Sequence, residues 1–135
     1  MSALLPLLFS INIYADVAVS YPRTANPAWV HDTTKMVPYP LEMAQSQITG
    51  CAVYQVDIDQ DGNTTAVRLV SAAPKEAAFA AATKALKTWH WQPSSAASQA
   101  GSQWVRMDFC ISQTGNDAVK KQCAIQSQIS CQAKG

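Results

Sequence analysis

The chain has 135 residues, 48% hydrophobic and 14% charged, with a formal net charge of +1. Such a length and balance describe one folded domain with short appendages. There is no basic run and no cluster of Arg to supply the concentrated positive face that phosphate neutralisation needs, which excludes nucleic acid as a partner.

Residues 3–9 form a short apolar run, and small residues follow at Ala15 and Ala18. This is the pattern of a secretory segment cleaved after Ala15 or Ala18, although no Lys or Arg precedes it. The alternative is an N-terminal strand or buried arm. A membrane span needs ~20 apolar residues, and Pro6, Ser10 and Asn12 interrupt a run that is already too short. Residues 1–18 are read as a signal peptide. Residues 19–37, with Pro22 and Pro27, are an extended leader whose one large anchor, Trp29, packs on the domain.

A first helix opens at Pro40, whose missing N–H costs nothing at the first helical position. Leu41, Ala44 and Ile48 form its apolar stripe, and Gly50 can take the left-handed conformation that ends it. Ala52, Tyr54, Val56 and Ile58 then alternate with Cys51, Val53, Gln55 and Asp57 along a strand. Asp61-Gly62 marks a hairpin turn, and Val67 and Leu69 point inward on the returning strand. One face of this hairpin is expected to be wet. A second helix opens at Pro74, turns Phe79, Ala82, Leu86 and Trp89 to the core, and stops at Pro93. A small-residue loop leads to the last strand, with Val105, Met107, Phe109 and Ile111 inward and Arg106, Asp108 and Cys110 outward. Residues 113–135 are a Cys-containing tail.

No constellation of catalytic residues occurs, so an enzyme is not expected. The run from Asp57 to Gly62 mimics the start of a calcium loop. Its twelfth position is Arg68 where a bidentate Glu is required, and its neighbours read as strands, so it is a polar hairpin tip. Trp89-His90-Trp91 is a bulky helix end wedged against the sheet. No cofactor or metal is expected. The four Cys show no CxxC spacing, and His31 and His90 lie in different elements, which favours two disulfides and an oxidising compartment over a zinc site. Four buried free thiols in a cytosolic protein remain the alternative.

Several of these residues occur in one order at one spacing: Tyr39-Pro40, Gly50, Asp61-Gly62, Ser71-Ala72-Ala73-Pro74, Phe79, and Trp89-His90-Trp91-Gln92-Pro93 with His in the usual Arg place. Over residues 38–112 the chain resembles the C-terminal domain of TonB, which engages outer-membrane receptors from the periplasm. Together with the periodicity, the resemblance implies an α+β fold: a three-stranded antiparallel sheet with two helices packed on one face. It implies a non-catalytic periplasmic binding module whose partner is an envelope protein or the N-terminal segment of an outer-membrane receptor. The membrane helix and proline-rich spacer of TonB are missing here. A structural or assembly subunit of an envelope complex is the competing reading.

In the resembled family the final strand is the edge that pairs with the receptor's box, gaining affinity from main-chain hydrogen bonds. Carried over, the partner-binding residues are Tyr39, Pro40, Gln103, Trp104, Val105, Arg106, Met107, Asp108 and Phe109. The same edge would serve a homodimer. If the first and last strands are neighbours, as in the resembled fold, Cys51 meets Cys110, which leaves Cys123 with Cys131. The rival is a tail strapped to the domain by crossed bridges.

Overall fold

Alternation in residues 50–58 builds the strand around which the sheet is assembled. In the computed structural model, which describes residues 12–32 and 35–133, this is β3 (Gly50–Ile58), preceded by β1 (Tyr14–Ser20), β2 (Trp29–His31) and α1 (Leu41–Gln45). It turns into β4 (Thr64–Ala73). A 3₁₀ turn (Glu76–Phe79) follows, leading into α2 (Ala80–Leu86), β5 (Trp91–Pro93), β6 (Gly101–Ser112) and α3 (Asn116–Gln126). The main sheet has the order β1-β6-β3-β4, and β2 and β5 form a second, two-stranded sheet. All pairings are antiparallel.

The expected three-stranded sheet with two helices on one face is therefore corrected. The described residues hold six strands in two sheets, and three helices. The additional strands come from residues read as signal peptide and leader, and the additional helix from residues read as tail. The apolar run at residues 3–9 lies outside the described residues. β1 spans both expected cleavage points, with Ala15 opposite Ile111 and Ala18 opposite Asp108.

On one face of the main sheet, Ala52, Tyr54, Val56, Val105, Met107 and Phe109 are fully buried beneath Phe79, Ala82 and Leu86. This is the core that the alternation and the helical stripe specify. Trp89 and Trp91 close it in a T-shaped pair 5.4 Å apart. The second helix stops earlier than expected, at Leu86, because Trp91 to Pro93 pair as a strand with β2.

The other face, expected to be wet, is covered by α3. Cys110, Val119 and Cys123 form a second small core with Tyr14 and Ala18 packed against it. The disulfides are Cys51–Cys131, with Cα atoms 5.8 Å apart, and Cys110–Cys123, at 5.6 Å. The expected Cys51–Cys110 and Cys123–Cys131 pairs are thus corrected in favour of the crossed arrangement. Register explains why: Cys51 lies opposite Asp108, so Cys110 falls beyond the start of β3 and is diagonal to Cys51. α3 then brings Cys123 over Cys110.

Two turn details also depart from expectation. Gln47, not Gly50, takes the positive φ (52°) after α1. Gly50 is needed for close approach instead, since a Cβ there would sit 2.5 Å from both the Ala73 carbonyl oxygen and Met43 Cε. α1 has only five residues and buries Met43, while Leu41 is exposed, so its stripe differs from the periodic one. At the β3–β4 turn the Asp59 carboxylate accepts from the backbone N–H of Asp61 and of Asn63.

Candidate partner-binding edge

β6 carries most of the residues expected to bind a partner, and it is paired on both sides for much of its length. Ser112 to Arg106 pair with Tyr14 to Ser20 of β1, while Phe109 to Gly101 pair with Gly50 to Ile58 of β3. Arg106, Met107, Asp108 and Phe109 therefore do not form a free edge. The β1 ladder ends at the Ser20–Arg106 pair, so Gln103, Trp104 and Val105 have no strand on that side.

The side chains of these residues have distinct tasks. Val105, Met107 and Phe109 are fully buried. The Gln103 amide is turned to β2, accepting from the Trp29 N–H at 3.1 Å and donating to the Trp29 carbonyl at 2.7 Å. Trp29, buried as expected, also donates from its indole to the Gln99 carbonyl at 3.0 Å. Trp104 is half-buried, and the Arg23 guanidinium lies 4.1 Å from its ring centroid, a cation–π contact.

On the α3 face, Arg106 makes a bidentate ion pair with Asp108, its Nε 3.0 Å from Oδ2 and its Nη2 3.0 Å from Oδ1. Arg106 also donates to the Gln126 carbonyl at the end of α3 (3.0 Å), where a cation is favoured by the helix dipole. The Gln126 amide donates in turn to Asp108 Oδ1 and to the Gly50 carbonyl. Both ions are buried and fully engaged within the domain.

Tyr39 reaches β6 from the opposite face. The Tyr39 ring meets Phe109 edge-on at 5.6 Å, and its hydroxyl donates to the Ile48 carbonyl at 2.7 Å. Burial pushes the Tyr39 phenol up to about 12, so it stays protonated as a donor. Pro40 is buried as the residue preceding α1.

β1 is the N-terminal strand that the sequence offered only as the alternative to a signal peptide, and its pairing with β6 was not foreseen. Its Val17 N–H is taken by the neighbouring Asp16 carboxylate at 2.9 Å rather than by β6. In an antiparallel ladder, alternate residues turn both backbone groups outward. Ala15, Val17 and Val19 therefore turn their N–H and C=O groups away from β6, and Asp16, Ala18 and Ser20 turn theirs toward it. The only hint in the sequence was the alternation of Val17 and Val19, which adjoins the apolar run at residues 3–9.

On the Tyr39 side, β1 borders an open cleft of about 1000 Å³ lined by Val17, Val19, Tyr21, Val30, Val37 and Tyr39 among others. Tyr21 accepts the His31 N–H at 2.7 Å and so ties the end of β1 to β2.

Among the described residues, no group of three or more His, Cys, Asp or Glu is placed to hold a metal ion, and no helix is long and apolar enough to cross a membrane. No curated protein matches the chain significantly. Residues 35–111, more than half of the chain, match the family described as Gram-negative bacterial TonB protein C-terminal. That match runs from before Tyr39 to the end of β6 and leaves out β1, β2 and α3. The chain belongs to this TonB C-terminal family, whose members are non-catalytic periplasmic adaptors that generally meet the N-termini of outer-membrane receptors.

Proposed function

We propose that this protein is a periplasmic binding module that takes up an extended segment of an envelope protein by strand addition. The favoured partner is the N-terminal segment of an outer-membrane receptor, which links the module to transport across that membrane. The docking side is the β6 side of the sheet, with Tyr39, Pro40 and residues 103–109 beneath or beside the added strand. One observation supports this most. Past the Ser20–Arg106 pair, Gln103, Trp104 and Val105 of β6 carry no strand on that side, and β1, which covers the rest of β6, has none of its seven residues buried. An open row of N–H and C=O groups is what an extended segment needs for main-chain pairing.

The test is site-specific photo-crosslinking in the native envelope, with the photoreactive residue at Trp104 or at Val70. Val70 is exposed on β4, at the opposite edge. The expected result is that Trp104 captures the N-terminal segment of an outer-membrane protein and Val70 captures none. Capture only from Val70 would place the partner on the wrong edge and refute the reading. Capture of a secretion or assembly component at Trp104 would keep the edge and replace transport by assembly.

A further inference from the structure

We infer that β1 is a stand-in for the partner: a removable strand that fills the docking side of β6 and is exchanged for a segment with larger apolar side chains at alternate positions. The inference rests on the strand-addition reading above and specifies how that edge is guarded and what it selects.

The family match explains why β1 can be regarded as an addition. Residues 35–111 contain every other strand of the main sheet, so β1 is laid by the same chain onto the outermost strand of the family core. Its side chains hold it only in part: Tyr14, Val17, Ala18 and Val19 pack against the edges of the two cores. No residue of β1 is buried, whereas Arg106 to Ile111, which pair with it, all are. The rest of its attachment is the backbone ladder, which any extended chain of similar length can supply.

The second face survives its departure. α3 loses Tyr14 and Ala18 as neighbours, but the Cys110–Cys123 and Cys51–Cys131 bridges still hold it to β6 and β3. The Arg106 bond to the Gln126 carbonyl also remains.

On the first face β1 fits poorly. Ala15, Val17 and Val19 border the cleft of about 1000 Å³ next to Val37 and Tyr39, and their short side chains leave it open. A segment with Leu or Phe in the places of Ala15 and Val17 would bury apolar surface there that β1 cannot. Because β1 is tethered through residues 21–28, its effective concentration at the edge is on the order of millimolar. A free segment must outcompete it, and side chains that fill the cleft provide the means.

The experiment uses the full chain and two fluorescent peptides as probes. One has the sequence of residues 12–22; the other carries Ala15→Leu and Val17→Leu. They are titrated into the wild type, into Ala18→Pro and into Val17→Pro. Ala18→Pro removes an N–H that faces β6, whereas Val17→Pro removes one already turned outward. With intact disulfides and a native circular-dichroism spectrum, Ala18→Pro is expected to bind both peptides about tenfold more tightly than wild type. The Leu peptide is expected to bind about tenfold more tightly than the plain one. Val17→Pro should gain little. Binding to Ala18→Pro that is unchanged or weaker overturns the inference, because β1 would then be the docking edge itself.

Should Ala18→Pro fail to fold, amide exchange in the wild type decides. The Asp16, Ala18 and Ser20 amides should exchange at least about a hundredfold faster than those bonded between β3 and β6. Equal protection overturns the inference. Failure here leaves the crosslinking test of the binding edge standing. Conversely, peptide exchange with no receptor crosslink sinks the transport reading alone.

Discussion

Gln103 on β6 clasps the main chain of Trp29 on β2, and this pair of bonds joins the small sheet to the large one. Both Trp29 and Gln103 are buried, so no water replaces the amide if it is removed. Gln103→Leu should destabilise the fold by roughly 2–4 kcal/mol, since two buried backbone groups lose their partners. Urea denaturation measures the loss, and a red shift of tryptophan emission reports the release of Trp29. A loss below about 0.5 kcal/mol would mean that the clasp is not what holds β2 in place.

The Arg106–Asp108 pair predicts an asymmetry between single and double replacement. Arg106→Met leaves a fully buried carboxylate with only the Gln126 amide as partner and should cost roughly 3–5 kcal/mol. Combining it with Asp108→Leu should recover most of that loss, because the uncompensated charge is gone. Urea midpoints of the two singles and the double decide. Additive losses would show that Arg106 acts mainly through the end of α3 at Gln126.

The two bridges close loops of very different length, with sequence separations of 80 for Cys51–Cys131 and 13 for Cys110–Cys123. In the chain-entropy account, removing the first by paired Ser substitution costs about 4.5 kcal/mol and the second about 3 kcal/mol. The shorter bridge should nonetheless matter more for α3 itself, because it sits mid-helix over the second core. Hydrogen exchange in α3 should therefore rise more in the Cys110→Ser/Cys123→Ser variant, although its global stability falls less.

Where a segment's own pattern decides its structure, the sequence was sufficient. Alternation placed Tyr54, Val56, Met107 and Phe109 inside, and the stripe Phe79, Ala82, Leu86 and Trp89 faces them. β1 was hidden because Tyr14 to Ser20 become a strand only through β6, some ninety residues away, and adjoin an apolar run with a competing explanation. β2 is three residues long and depends on Gln103, a long-range clasp without local signature. α3 buries only Val119 and Cys123, too few apolar positions to betray a packed helix, because two disulfides hold it down. Among the residues expected to bind a partner, the membership of residues 103–109 in one strand was legible. Its pairing on the outer side was not.

The His31–Trp89 stack gives the small sheet a pH dependence with a definite sign. The rings lie 3.4 Å apart and 14° from parallel, and His31 Nε2 bonds the Lys35 carbonyl at 2.9 Å. Burial lowers the His31 pKa, outweighing that hydrogen bond and the nearby Asp32 charge, both of which raise it. The unfolded chain therefore takes up its proton near the ordinary value of about 6.5 while the folded chain still resists. Stability is fully present above that value and falls as the pH drops from it through the lower folded pKa. A ring titration of His31 by NMR should show the depressed midpoint, and urea midpoints should fall in the same window. His31→Phe keeps an aromatic stack and removes the titration, so its midpoint should be flat there. A slope that persists unchanged in His31→Phe would assign the pH dependence to other groups and refute His31 as its source.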